Sequence, residues 1–164
     1  MNWKRRFFLI CITLIILLIL AYPIHILEVR NISKGIVIFS SPISPKECFT
    51  ISFIHSVDKT LVKDLFIIQE DNKIKIHESY FKLQCCGAPF NYDDGVLIKE
   101  GDWFIMKNIT RPAMNTLLLT ITSINNYTIS LKGINLPLTH FCEDGELVEI
   151  KVILKPILFY ISGQ

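Results

Sequence analysis

Three ionisable residues, His55, Asp64 and Glu78, each interrupt an apolar run of alternating character. An imidazole and two carboxylates in one place could share a proton, hold a cation or bind a polar ligand. In an extended segment His55 continues the stripe Phe49, Ile51, Phe53, while Ser56 points to the other face. The adjacent His55 and Ser56 are therefore not a nucleophile–base pair. Asp64 shares a face with Val62, Phe66 and Ile68, and Glu78 with Ile74, Ile76 and Tyr80. A hairpin centred on Asp71 sets Asp64 opposite Glu78 and Phe66 opposite Ile76, with Cβ atoms about 5 Å apart. A turn at Lys59-Thr60 brings His55 beside Val62 or Asp64. Two carboxylates so close do not both ionise cheaply. The spacing thus predicts a cluster compensated by cationic His55, a shared proton, a bound cation or a Lys or Arg from elsewhere. Such a cluster is either a metal- or carboxylate-binding site or an ion pair that fixes sheet register.

Other chemistry is thinly represented. His140 and Cys142 are two potential metal ligands where a zinc site needs three or four. There is no phosphate-binding glycine loop, nucleophile elbow or Cys-x-x-Cys pair, so no cofactor is expected and an enzyme is not indicated. A hydrolase is the least supported class. Net charge is +2 and the only basic run is Lys4-Arg5-Arg6, which argues against a nucleic-acid partner. Cys48 and Cys142 are disulfide candidates in an oxidising compartment. Cys85 and Cys86 are adjacent, and free thiols are the alternative throughout.

These residues must be positioned by strands. Short β-rich segments at Gly35–Phe39, Cys48–Ser56, Leu61–Gln69, Lys73–Phe81, Val96–Lys99, Trp103–Lys107, Asn115–Thr122, Tyr127–Lys132 and Glu146–Leu154 are separated by turn residues such as Asp71-Asn72 and Asp144-Gly145. The expected fold is all-β, an antiparallel sandwich or barrel of about eight or nine strands. The apolar tail Ile157–Ile161 is expected to pack on the sheet.

Ahead of this domain, Phe7 to Tyr22 carries no charge, and apolar character continues to Leu27. The expected organisation is a cytoplasmic N-terminus over 1–6, an uncleaved transmembrane anchor helix over 7–27, and a β-domain over 28–164. Lys4, Arg5 and Arg6 hold the N-terminus inside, so the domain is expected outside the cytoplasm of a single-pass membrane protein.

The run Phe53-Ile54-His55-Ser56-Val57-Asp58-Lys59-Thr60 resembles the His-Ser-Val-Glu-x-Thr-Pro-Val run of the bacterial domain-of-unknown-function 1850 family. The resemblance continues through Asp64, Glu78 and Phe81, and through Cys85-Cys86-Gly87-Ala88-Pro89, where the family has a Gly-Ala-Gly-Leu-Pro loop. Asp102-Trp103-Phe104 matches a later element. Cys85 and Cys86 replace Gly-Ala, and Leu61 stands where Pro is frequent. The family has no established activity. Its genes typically lie beside the solute-binding protein and permease of TAXI-type tripartite (TRAP) transporters. The resemblance therefore implies a non-enzymatic membrane accessory that contacts one or both of these proteins.

Overall fold

The computed structural model describes residues 3–82 and 94–161. A helix α1 (Trp3–Ala21) leads, after Tyr22 alone, into eleven strands that form two antiparallel sheets. The smaller sheet holds β1 (Pro23–Asn31), β2 (Ile36–Pro42), β8 (Thr116–Thr120) and β11 (Leu147–Pro156), in the order β2-β1-β11-β8. The larger has the order β10-β9-β3-β4-β5-β7-β6. Its members are β3 (Cys48–Ile54), β4 (Leu61–Ile68), β5 (Ile74–Phe81), β6 (Val96–Glu100), β7 (Trp103–Lys107), β9 (Thr128–Leu131) and β10 (Ile134–Pro137). A short α2 (Ile157–Ile161) follows β11.

The fold is all-β as expected, and of the two expected forms, sandwich or barrel, it is a sandwich. Leu27, Val29, Leu117, Val148 and Ile150 from the smaller sheet join Phe49, Ile51, Phe66, Ile76 and Ile129 from the larger in one buried cluster. The rings of Phe49 and Phe66 stack there at 5.3 Å. Alternation is the cause: in β3 and β11 every second residue is apolar, and those residues fill the space between the sheets. Phe53 and Val152 are partly covered and pack against the cluster.

All nine expected segments are strands. Two more were hidden. β10 pairs with β9 across Lys132-Gly133, whose φ values of 50° and 81° suit a two-residue hairpin turn. β1 pairs with β11 along its length, from Pro23 opposite Pro156 to Asn31 opposite Val148. This corrects the expected helix over 7–27, whose last five residues, Pro23 to Leu27, are strand. Proline cannot continue a helix interior, and Ile26 and Leu27 are wholly buried in the domain.

None of the residues of α1 is buried. No helix among the described residues is long and apolar enough to cross a membrane. Lys4, Arg5 and Arg6 occupy the first turns of α1, and the uncharged stretch Phe7 to Ala21 rises about 22 Å at 1.5 Å per residue. The tail does not pack on the sheet as expected: Leu158 and Phe159 are about half exposed and Ile161 more so.

Truncating Phe49 to Ala should cost about 3–5 kcal/mol in urea unfolding of the full chain in detergent. The exposed Phe141→Ala should stay within about 0.5 kcal/mol. Equal effects would place the core elsewhere.

Candidate functional site

The three ionisable residues do not meet. Phe66 faces Ile76 as expected, but the next pair is Leu65 with Glu78, because the register between β4 and β5 shifts there. His77 is the extra residue of a β-bulge, and it reverses the parity of everything after it in β5. Asp64 is opposite Ser79 instead of Glu78. Directly opposed residues share a face, so Ile129, Ile51, Asp64, Ser79 and Met106 form one row across β9, β3, β4, β5 and β7. That row faces the core. The neighbouring row of Thr50, Leu65 and Glu78 lies on the outer side. Asp64 and Glu78 therefore sit on opposite faces of the sheet.

On the inner face, the wholly buried Ser79 donates its hydroxyl to Asp64 Oδ1 at 2.5 Å. Burial pushes the Asp64 carboxyl above the usual carboxylate range, against the pull of the Ser79 hydrogen bond and the Arg111 guanidinium. Burial likewise raises the Tyr127 phenol, with a smaller contribution from Asp64. Tyr127 packs on Phe53 at 5.2 Å between ring centres.

His55 lies just beyond β3, in the turn to β4. Its N–H donates to Thr60 O at 2.8 Å, and its carbonyl accepts from the Lys59 N–H at 2.9 Å. Its Nδ1 accepts from the Asp58 N–H at 3.3 Å and lies 3.7 Å from Asp58 Oδ2. The Asp58 side chain is 5% exposed. His55 is thus a turn residue whose carboxylate neighbour is Asp58, and Ser56 is part of the same turn. Thr60 is buried, and its Oγ1 has no hydrogen-bond partner among the described residues. Among the described residues, no group of three or more His, Cys, Asp or Glu side chains is placed to hold a metal ion.

Cys48 and Cys142 are free thiols. Cys48 is exposed at the start of β3, while Cys142 is buried and its Sγ lies 3.4 Å from Asn31 Nδ2. That separation of environments corrects the candidate disulfide. The loop Cys85, Cys86, Gly87 and Pro89 lies outside the described residues.

The outer face of the larger sheet holds a hollow of about 470 Å³ that the alternation pattern did not foretell. Leu65, Ile105 and Trp103 form its apolar surface; Thr50, Lys63, Tyr80 and Glu100 supply polar groups. Lys63, Tyr80, Ile105 and Ile98 are successive partners across β4, β5, β7 and β6. The bulge creates this wall, since unbroken alternation would have turned Glu78 and Tyr80 inward. The Tyr80 hydroxyl donates to Glu78 Oε2 at 2.5 Å. That hydrogen bond, ahead of burial, pushes the phenol up to about 12. The ammonium groups of Lys63 and Lys82 lie 5.7 and 5.3 Å from the centre of the Trp103 ring. The sequence did hold a signal: His77-Glu78-Ser79 places three polar residues in succession within an alternating strand.

A family model described as Domain of unknown function (DUF1850) matches residues 49–138. The match covers more than half of the chain, and the protein belongs to that family. It spans β3 through β10 and every residue named around the hollow. No curated protein and no solved structure matches the chain.

The Asp64 environment gives a pH prediction. A raised carboxyl pKa in the fold means that the native state holds its proton more tightly than the unfolded chain does. The stability from this group is complete below the unfolded value, near pH 4, and is lost as pH rises through the folded one. Asp64→Asn keeps an acceptor for Ser79 without the charge. It should raise stability at pH 7, with a gain that shrinks as the pH is lowered to 4. Urea unfolding of both proteins at the two pH values checks this; a loss of stability at pH 7 would contradict it.

Proposed function

We propose that the protein is a membrane-tethered accessory module that acts by contact and not by catalysis. The observation that carries this reading is the bareness of α1. Its apolar side chains point in all directions and none is buried against the domain. Left in water, that surface would cost about 25 cal/mol per Å², and an all-apolar helix needs protein or lipid around it. A bilayer supplies that cover. The short uncharged stretch is accommodated when Lys4, Arg5 and Arg6 extend their stems along the acyl region and place their charges at the headgroups. Local thinning of the bilayer makes up the remainder.

The other end of the helix supports the same arrangement. Tyr22 alone separates α1 from β1, and the Ile157 N–H donates to Tyr22 O at 3.1 Å. Leu154, opposite His25 on β1, and Leu158, Phe159 and Ile161 of α2, which begins at that hydrogen bond, are exposed apolar side chains. The β-domain then rests on the membrane, outside the cytoplasm by the positive-inside rule. Its partners in this reading are a TAXI-type TRAP permease and solute-binding protein, following the genomic association that the resemblance implies. The strand β6, exposed at every residue and at the edge of the larger sheet among the described residues, is of the kind that a partner strand can extend.

Alkaline phosphatase fused after Gln164 should be active, and the fusion should stay in the membrane after carbonate extraction. An inactive reporter would overturn the orientation, and release into the supernatant would overturn the anchor. Purification from native membranes in mild detergent should recover the permease or the solute-binding protein. Recovery of neither would overturn the partner reading.

A further inference from the structure

The hollow on the outer face of the larger sheet has features of a small-ligand site. At about 470 Å³ it falls within the range of small-molecule pockets. One side is apolar, formed by Leu65, Ile105 and the Trp103 indole. Ile105 is only 3% exposed although it faces outward, so its neighbours already enclose the floor. A β-bulge in β5 turns Glu78 and Tyr80 to this side. Bulges of this kind commonly re-aim side chains beside functional sites.

The charges around the hollow decide what it can take. Each carboxylate there already has a partner. Glu78 accepts the Tyr80 hydroxyl, and Glu100 Oε1 lies 3.8 Å from Lys107 Nζ. Lys82 has the exposed Asp102 at 3.8 Å. Lys63 has no carboxylate partner among the described residues; its ammonium instead lies 5.7 Å from the Trp103 ring centre. The Glu78 charge, met by a neutral phenol, is on the same face but outside the lining of the hollow. Within the lining, Lys63 is the charged group without an ionic partner among the described residues, and it stands beside an aromatic face.

We infer that this hollow binds a small organic monoanion, a carboxylate with a flat or branched apolar body. The apolar body stacks on Trp103 and covers Leu65 and Ile105, and the carboxylate meets Lys63. A cationic ligand would meet two ammonium groups at the same ring, and an inorganic anion would leave the apolar wall uncovered. The inference concerns the β-domain alone and stands whether or not α1 enters a bilayer.

Tryptophan fluorescence reads the site directly. The chain has two tryptophans, Trp3 and Trp103, so full-length Trp3→Phe in detergent leaves Trp103 as the sole indole. Benzoate, its neutral isostere benzamide, benzylamine and inorganic phosphate would each be titrated at low ionic strength. Benzoate should give a saturable change and bind at least about threefold more tightly than benzamide, the discrimination expected of one partly exposed charge pair. Benzylamine and phosphate should give none. In Lys63→Gln, an exposed position whose replacement should leave melting unchanged, benzoate should fall to the level of benzamide. Equal binding of benzoate and benzamide by the parent protein would overturn the inference. So would undiminished benzoate preference in Lys63→Gln, or no saturable signal from any probe.

Discussion

One extra residue in β5 determines which side of the larger sheet its polar groups occupy. Before His77, Ile74 and Ile76 face the core; after it, Ser79 and Phe81 do. A strand without the bulge would point Glu78 and Tyr80 into the sandwich beside Asp64, and two carboxylates in a low-dielectric interior would repel each other strongly. The bulge leaves one carboxylate inside with a hydroxyl donor and moves the other to the surface with a phenol donor. It costs a local break in the ladder. In return each acid has a hydrogen bond, and the outer face acquires a wall.

Glu28 and Asn31 follow the same rule of local compensation, whereas the buried Thr60 Oγ1 does not. Glu28 is 1% exposed on β1, yet Arg30 Nε lies 3.1 Å from one of its oxygens and Lys155 Nζ 3.4 Å from the other. The wholly buried Asn31 donates to Glu146 Oε2 at 2.7 Å and accepts from the Lys34 N–H at 3.0 Å. These contacts tie β1 to the β11 side of the smaller sheet, where breaking one partner would strand a charge or an amide. The strand that follows α1 after Tyr22 is held by β11 from Pro23 onward and by β2 as well from Ile26.

Much of the fold was legible because period-2 alternation is a local property. Phe49, Ile51, Val148 and Ile150 mark their strands without knowledge of their partners, and Phe66 opposite Ile76 follows from the turn at Asp71-Asn72. β1 was not legible in the same way. Ile24, Ile26 and Leu27 continue the apolar run of α1, and only Pro23 signals that the helix has stopped. The candidate cluster failed for a related reason. Parity counting carries a face assignment along a strand only while the ladder is unbroken. The assignment of Asp64 depends on no bulge and agrees with the structure; that of Glu78 crosses His77 and is reversed. Trp103 and Lys63 were visible as residues, but their meeting depends on β5 lying between β4 and β7, a long-range arrangement that no local pattern encodes.

Side-chain accessibility tests the parity of β5 beyond His77 directly. Glu78→Cys and Ser79→Cys, each in the full-length protein, would be exposed to a water-soluble maleimide under native conditions. Modification would be located by peptide mass spectrometry, so that the native cysteines do not interfere. A bulged strand predicts rapid modification at position 78 and protection at position 79 until the protein is unfolded. Protection at 78 with rapid modification at 79 is the pattern of an unbroken strand and would contradict the account.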